Sequence, residues 1–354
     1  MKHILRQATL LLLFLLLIYL LALILATPFM RWSPAGGLDT ASAARSPFMT
    51  EPKYAFLSRS PLNNSDDKVI LLGASNVLAG FRPAQLQGEL PSVRVHNLAI
   101  GGANMTELQQ MVDLVLEVQS PKARQHNVFV LGVWYGLFAD DLARWYTPDR
   151  FPGDTDLDIE RYRYGFYRRT DAGPVPILPA QWLDTGVTLV KPFLLVDRLA
   201  RDAGKFLRRG GKPVASAEAG QPGAPSAERQ RQYLAFWDHY MGHNGQLVDE
   251  PFELLSRTIS TIRESGGKVV LVDLPLPRWH ASASPYDSSY RQQLQKLQQR
   301  LDGTSGVAFL SLRDADQSED FSDEVHPRPP VAVRWAQRLA QALNHLPNLI
   351  KQGV

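Results

Sequence analysis

Hydrophobic positions along this chain form two different patterns, and the first is one long apolar segment near the N-terminus. No charged residue occurs from Ala8 to Met30, and Leu10 to Ala26 is almost wholly aliphatic. At 1.5 Å per residue, a helix over this segment is long enough to cross a hydrocarbon core about 30 Å thick. The pattern therefore predicts one transmembrane helix.

Charges in front of this segment predict its orientation. Because Lys2 and Arg6 precede the apolar residues, we expect the N-terminus to stay in the cytoplasm and the rest of the chain to cross. A cleaved signal peptide is the alternative, with Ala26 as a cleavage position. Its apolar region would usually have about 7–15 residues, however, and Pro28 disfavours cleavage there. We expect a single-pass protein of the inner (cytoplasmic) membrane with a periplasmic or extracellular domain.

The second pattern begins at Lys68, where short β-branched and aliphatic runs alternate with amphipathic stretches. This alternation is typical of a parallel sheet flanked by helices, so we predict a three-layer α/β/α sandwich with about five parallel strands. The predicted strands are Val69–Gly73, Val93–Ala99, Val128–Gly132, Lys268–Leu274 and Val307–Leu312. The predicted helices include Met105–Val118, Glu253–Glu264, Tyr290–Leu301 and Val331–Leu346.

These patterns divide the chain into three parts. Residues 1–30 form the tail and anchor, residues 31–67 are rich in Pro, Ser, Ala and Gly and are predicted to form a stalk, and residues 68–350 form the α/β domain. The third and fourth strands are separated by far more than a usual crossover, which predicts an insertion at about residues 134–266. Residues 210–228 lack large apolar side chains and are predicted to form a flexible loop within it.

Composition narrows the possible functions. The net charge of +3 is small for 354 residues, which argues against a dedicated nucleic-acid-binding protein. The absence of cysteine excludes disulfides, thiolate zinc sites and cysteine nucleophiles. His239 and His243 have helical spacing, but Gly242 and Gly245 disfavour a helix there and no third ligand is evident nearby. We therefore expect no metal and no cofactor.

A candidate nucleophile follows the first predicted strand. Residues 68–76, KVILLGASN, read as a buried strand that ends in glycine and then a small hydroxyl residue, Ser75. Ligands of open α/β sheets bind beyond the carboxyl ends of the strands, where Ser75 would lie. Ser75 would also begin a helical turn, whose N–H groups can stabilise a developing oxyanion. The alternative is that Ser75 only caps that turn.

A candidate acid–base pair lies near the other end of the chain. Asp323 and His326 are three residues apart in a predicted turn before the last helix. A nucleophilic serine needs an imidazole to take its proton and a carboxylate to fix the imidazole tautomer. Asp and His at this spacing can meet directly, although both are also common in surface turns.

Paired glycines follow the second predicted strand. Residues 97–102 read NLAIGG, and such glycines let the backbone approach a ligand closely and present N–H groups to it. The alternative interpretation is a tight strand-to-helix turn that requires positive φ.

In this order along the chain, the three motifs resemble those of the SGNH (GDSL-type) hydrolase superfamily. The resemblance covers the core from Lys68 to about Leu346, apart from the insertion. It implies that Ser75 is the nucleophile and that Asp323 and His326 complete a catalytic triad. It also implies that Gly102, with the backbone N–H of Ser75, forms the oxyanion hole.

The third motif departs from the superfamily. It normally reads Gly-x-Asn-Asp, whose Asn donates to the oxyanion, whereas residues 132–135 here read GVWY. The oxyanion hole would then depend on backbone N–H groups, with Trp134 or Asn104 in the space of the missing amide. Loss of one oxyanion donor costs about 10²–10³-fold in rate in other hydrolases, which suits a slow transferase better than a fast esterase. We expect Asn76, Asn104, Trp134 and Tyr135 to line the substrate pocket.

The anchor, the early serine, the aromatic third motif and the late Asp-x-x-His together resemble the envelope-modifying branch of this superfamily. That branch includes the D-alanine transfer protein of teichoic-acid modification and the alginate O-acetylation proteins. The resemblance implies a cell-envelope polysaccharide as the acyl acceptor and a membrane-bound O-acyltransferase as the acyl donor.

We therefore expect serine-dependent transfer of an acyl group, with acetyl the expected one, to polysaccharide hydroxyls through an acyl-enzyme. A carbohydrate or acetyl esterase that uses the same triad is one alternative. A non-catalytic scaffold that binds a glycan or a partner acyltransferase is another, and a lipase acting on membrane lipid is a third.

Overall fold

The computed structural model describes residues 2–26, 62–140, 153–163, 166–179, 224–242 and 245–345, together with residues 182, 204, 207 and 208. Residues 31–61 of the predicted stalk, residues 210–223 of the predicted loop and His243 lie outside the described residues.

The first helix, α1, is Lys2–Ala26. It is the one described helix that is long and apolar enough to cross a membrane, with a mean hydropathy of 2.3 over Lys2–Ala22. A signal sequence near an N-terminus would meet the same criteria. Length and composition thus agree with the predicted anchor and leave its retention open.

The central sheet has five parallel strands: β1 (Lys68–Leu72), β2 (Arg94–Asn97), β3 (Asn127–Val133), β6 (Lys268–Asp273) and β7 (Val307–Ser311). Their order across the sheet is β2-β1-β3-β6-β7. Every residue of β1 and β3 is buried, because helices cover both faces of the sheet. Their sequences accordingly show continuous apolar runs without alternation.

Helices on both faces complete three layers, which confirms the predicted α/β/α architecture. The described helices after α1 are α2 (Ser75–Gly80), α3 (Pro83–Glu89), α4 (Met105–Val118), α5 (Pro121–Arg124), α6 (Asp156–Arg163), α7 (Ala227–Met241), α8 (Glu250–Glu264), α9 (Arg278–Ala283), α10 (Tyr286–Leu301) and α11 (Pro329–His345). On one face α11 packs against α2 and α3, and on the other α4 packs against α8. Short 3₁₀ helices cover Tyr135–Phe138 and Ser318–Asp320.

The chain between β3 and β6 contains more than a crossover helix. Its described part includes α6, α7 and an antiparallel hairpin of β4 (Tyr167–Thr170) and β5 (Gly173–Pro176). Helix α8 also lies within the predicted insertion, but it packs against α4 and β6 as part of the helical layer. Helix α7 ends in a left-handed cap at Gly242, where φ is 69°.

Candidate active site

Ser75 stands at the carboxyl edge of the sheet because the chain turns sharply after β1. Gly73 has a φ of 145°, a region that L side chains rarely adopt. A Cβ atom there would lie 2.5 Å from Val77 Cγ2 and 2.6 Å from the carbonyl oxygen of Gly132. The N-cap of α2 is Ala74, with no side-chain cap hydrogen bond, so Ser75 is the first helical residue and does not cap the turn.

Asn97, the last residue of β2, also fixes the position of α2. Asn97 donates from Nδ2 to the carbonyl oxygens of Val77, at 3.2 Å, and Phe81, at 2.8 Å. Its Oδ1 accepts the N–H of Ala99 at 3.1 Å. Buried polar groups that are satisfied in this way fix backbone position, so Asn97 ties α2 to the loop that follows β2.

The loop that carries Asp323 and His326 is closed by its own backbone. Phe321 and Pro327 form an isolated antiparallel bridge, and the N–H of Ser322 donates to the carbonyl oxygen of His326 at 2.9 Å. Inside the loop, Asp323 Oδ1 accepts the N–H groups of Val325 at 3.0 Å and His326 at 2.8 Å. The three-residue spacing thus folds the carboxylate back onto the chain that carries the imidazole.

Asp323, His326 and Ser75 form one hydrogen-bonded chain. His326 Nδ1 lies 2.7 Å from Asp323 Oδ2, and His326 Nε2 lies 2.8 Å from Ser75 Oγ, across 251 sequence positions. An ionised carboxylate only accepts, so Nδ1 carries the proton and Nε2 accepts from the serine hydroxyl. This is the arrangement in which an imidazole can remove the hydroxyl proton of a serine.

The charges of the pair support that tautomer. Burial alone would raise the pKa of Asp323, but its hydrogen bond with His326 and the backbone N–H groups bring the pKa below its ordinary value. Burial alone would lower the pKa of His326, but the hydrogen bond and charge of Asp323, with the charge of Glu324, raise it. Burial raises the pKa of the Glu324 carboxyl, and the charge of Asp323 adds to this rise. Asp323 is therefore ionised at neutral pH.

The paired glycines form a turn beside the nucleophile. The N–H of Ala103 donates to the carbonyl oxygen of Ile100 at 3.1 Å, and the N–H of Ile100 donates to that of Gly73 at 3.0 Å. Gly101 and Gly102 at the tip are exposed, and Gly102 has a φ of 72°. The turn requires positive φ, and it is tied to the chain two residues before Ser75.

The two predicted pocket asparagines are both buried and bonded to backbone. Asn76 Oδ1 accepts the N–H of Val77 at 3.0 Å. Asn104 is the N-cap of α4, accepting from the N–H of Glu107 at 3.3 Å and donating to the carbonyl oxygen of Ala139 at 3.3 Å. The Asn104 side chain thus caps the start of α4 and ties it to the backbone at Ala139.

The two predicted pocket aromatics belong to a buried ring cluster. Trp134 is 3% exposed and packs edge-on against Trp237, with ring centroids 4.7 Å apart. Tyr135 is fully buried, stacks on Tyr286 at 5.8 Å, and lies 2.5 Å by its hydroxyl from Nε2 of His280. The hydroxyl of Tyr135 thus faces a second histidine.

His280 and Trp237 were not among the site residues predicted from sequence. His280 had no partner at ligand spacing in the sequence. The structure brings it to Tyr135, 145 positions away, and to Glu324 in the loop that carries Asp323 and His326. No local motif signals contacts of this range. Among the described residues, no group of three or more His, Asp or Glu side chains is arranged to hold a metal ion.

Comparison with known proteins adds little to this geometry. No protein-family model matches the chain, and no curated protein matches it. Among solved structures, the chain is similar to a protein assigned as an acylhydrolase from Bacteroides fragilis, at 10% identity and a TM-score of 0.37, with 79% of this chain and 87% of the other covered. A protein assigned as an arylesterase from Agrobacterium tumefaciens has 12% identity and a TM-score of 0.36, with 79% and 99% covered.

A third similar structure is a carbohydrate esterase of family 2 with its carbohydrate-binding domain, from Corynascus thermopiles. It has 9% identity and a TM-score of 0.33, with 79% of this chain and 66% of the other covered. At these identities and TM-scores, none of the three assigns a family or an activity to this chain. The chemical interpretation therefore depends on the geometry of the site itself.

Proposed function

We propose that this protein is an SGNH-type serine enzyme of the envelope-modifying branch, which transfers an acyl group, acetyl above all, to hydroxyls of a cell-envelope polysaccharide. The observation that carries the proposal is the continuous hydrogen-bonded chain from Asp323 through His326 to Ser75. A scaffold that only binds a glycan or a partner would not need a serine hydroxyl held at 2.8 Å from a correctly oriented imidazole.

The first half-reaction forms an acyl-enzyme. Ser75 Oγ attacks the acyl carbonyl while its proton passes to His326 Nε2, and the carboxylate of Asp323 stabilises the imidazolium. The bond from the carbonyl to the donor oxygen then breaks, and the leaving oxygen takes the proton from Nε2. Backbone N–H groups of Ser75 and Gly102 are the proposed donors to the oxyanion, with Trp134 in the place of the missing amide.

The second half-reaction returns the serine. A sugar hydroxyl attacks the acyl carbonyl, His326 Nε2 takes the hydroxyl proton, and Ser75 Oγ leaves and receives that proton. If water attacks instead, the same site is an esterase. The difference lies in whether the acceptor excludes water from the acyl-enzyme.

The length and apolar composition of α1 support the proposed acceptor and donor. If α1 is retained with its N-terminus in the cytoplasm, the α/β domain lies on the outer side of the inner membrane, where envelope polysaccharides are exposed. An acyl group generated in the cytoplasm must cross that membrane, so the proposed donor is a membrane-bound O-acyltransferase. The scheme needs no metal and no cofactor.

Intact-mass measurement with p-nitrophenyl acetate tests the chemistry. The full-length protein is expected to gain one acetyl group on Ser75, whereas Ser75→Ala gains none. Ser260→Ala is the matched control, because Ser260 is an exposed serine on α8 remote from the triad in the fold, and this variant is expected to acylate as the wild type does. Equal adducts in the wild type and Ser75→Ala, or none in the wild type, would overturn the proposal.

The decay of the adduct then separates the two reactions. If the protein is a transferase, soluble sugar oligomers with free hydroxyls accelerate the loss of acetyl from Ser75, and ester appears on the sugar. Decay at one rate with and without oligomer, with only acetate released, would identify an esterase.

A further inference from the structure

A second histidine contacts the backbone of the loop that carries Asp323 and His326. His280, on α9, is completely buried. Its Nδ1 lies 2.7 Å from the carbonyl oxygen of Glu324, and its Nε2 lies 2.5 Å from the hydroxyl of Tyr135. A carbonyl oxygen can only accept, so Nδ1 donates, and in the neutral ring Nε2 then accepts from the Tyr135 hydroxyl. These contacts fix one tautomer of His280.

Burial keeps both groups in the forms that this chain of hydrogen bonds requires. Desolvation lowers the pKa of His280 to about 4, so the ring is neutral at physiological pH. Desolvation also raises the pKa of Tyr135 above its ordinary value, so the phenol keeps its proton. Ring stacking also fixes both side chains, because Tyr135 stacks on Tyr286 and His280 stacks on Trp279, with the latter ring centroids 5.3 Å apart.

The peptide group that His280 holds is also the one that holds Asp323. The carbonyl of Glu324 and the N–H of Val325 belong to the same peptide unit. The carbonyl accepts from His280, and the N–H donates to Asp323 Oδ1 at 3.0 Å. The other oxygen of Asp323 accepts from His326, which contacts Ser75. An unbroken series of hydrogen bonds therefore runs from Tyr135 to Ser75, and bonds in such a series polarise one another.

We infer that Tyr135 and His280 are positioning residues, which hold the peptide between residues 324 and 325 so that Asp323 orients His326 toward Ser75. This inference rests on the proposed function, because it assigns the two residues to the same triad. Tyr135 occupies the position of the Asp in the Gly-x-Asn-Asp motif that this chain lacks. Tyr135 of the altered motif thus acts on the triad indirectly, through His280 and the peptide between residues 324 and 325.

Two amide substitutions of His280 test the inference in the full-length protein. In His280→Asn, an amide N–H can reach the place of Nδ1–H and donate to the Glu324 carbonyl, whereas in His280→Gln the amide reaches the place of Nε2. The readout is the rate at which a fluorophosphonate forms an Oγ–P bond with Ser75 and loses fluoride, followed by intact mass. Misplacement of a reacting group by about 1 Å costs on the order of 10²-fold in rate.

We expect His280→Asn to keep most of the labelling rate, and His280→Gln to lose on the order of 10²-fold. Tyr135→Phe, which keeps the ring on Tyr286 and removes only the hydroxyl, should fall between them. Proton NMR provides a second readout, because the downfield resonance of the Asp323–His326 hydrogen bond should shift in His280→Gln and stay in place in His280→Asn.

Ile262→Ala is the control for loss of stability alone, because Ile262, on α8, is buried beside Gly267 just before the start of β6, whereas Ser75 follows the end of a strand. If His280→Gln labels no more slowly than Ile262→Ala, or if His280→Asn and His280→Gln behave alike in both readouts, the positioning role is overturned and the triad proposal stands. If the wild type itself is not labelled on Ser75, the proposed function fails and this inference fails with it.

Discussion

Asp323 uses its two carboxylate oxygens for different purposes. Oδ1 accepts two N–H groups of its own loop, and Oδ2 accepts from the imidazole of His326. Loss of the charge would therefore disturb the loop only modestly, since an amide oxygen can still accept, but it would remove the group that stabilises a protonated His326. One oxygen of Asp323 thus holds the loop, and the other contacts the imidazole.

The proposed reaction should depend on pH through this pair. His326 must be neutral to take the serine proton, and the net effect of burial, Asp323 and Glu324 raises its pKa. The kcat/KM for p-nitrophenyl acetate should therefore fall as the pH is lowered, with a midpoint above the ordinary histidine value of about 6.5. In Asp323→Asn, burial still disfavours the imidazolium, so the midpoint should move lower while kcat falls by about 10⁴-fold, as in other triads. A midpoint unchanged by this substitution would contradict the assignment.

Among the elements, the last helix connects the two halves of the site. Trp335 on α11 is completely buried. Its ring centroid lies 6.1 Å from that of Phe81, after α2, and 6.1 Å from that of Phe321, at the start of the loop that carries Asp323 and His326. A Cβ atom on Gly80 would lie only 2.6 Å from the indole. Through this one side chain, α11 thus packs against both α2 and the loop that carries Asp323 and His326.

Trp335→Ala should accordingly lower the free energy of unfolding by about 3–5 kcal/mol, because it leaves a large cavity between α2 and the loop. Trp335→Phe fills most of that space and should cost less. Denaturant unfolding of the full-length protein in detergent measures both. Phe236→Ala is the control, since Phe236 is 52% exposed on α7 and its loss should change stability little. A loss for Trp335→Ala no larger than that of the control would show that α11 does not connect the halves.

At the scale of the whole molecule, a helix of membrane-spanning length precedes an α/β domain. The 25 residues of α1 extend about 37 Å, which exceeds a hydrocarbon core of roughly 30 Å. The positive residues lie before the apolar segment, so the predicted orientation places the domain outside the cytoplasm.

The absence of cysteine makes this orientation easy to test. We expect Ser260→Cys, exposed on α8, to react with a membrane-impermeant maleimide in intact spheroplasts. His3→Cys should react only after lysis. If Ser260→Cys reacts only after lysis, the domain is cytoplasmic and the envelope acceptor is excluded. If the purified protein lacks the mass of residues 1–26, the helix is a cleaved signal rather than an anchor.

Much of the fold could be predicted because the relevant information is local. Strands buried on both faces read as continuous apolar runs, so the five strands were placed within a few residues of β1, β2, β3, β6 and β7. The Asp323–His326 contact could be predicted as well, because the two residues are three positions apart in one turn.

Contacts between distant parts of the chain were decided by the tertiary structure alone. Strand order and helix packing bring Ser75 to His326, and they bury Tyr135, one of the predicted pocket residues, against His280. A hydrophobic pattern specifies which face of an element is buried but not which residue of another element meets it. The sequence by itself therefore determined the layers, the candidate nucleophile and the acid–base pair. Packing determined that Ser75 contacts His326, and that His280 contacts both Tyr135 and the loop that carries the pair.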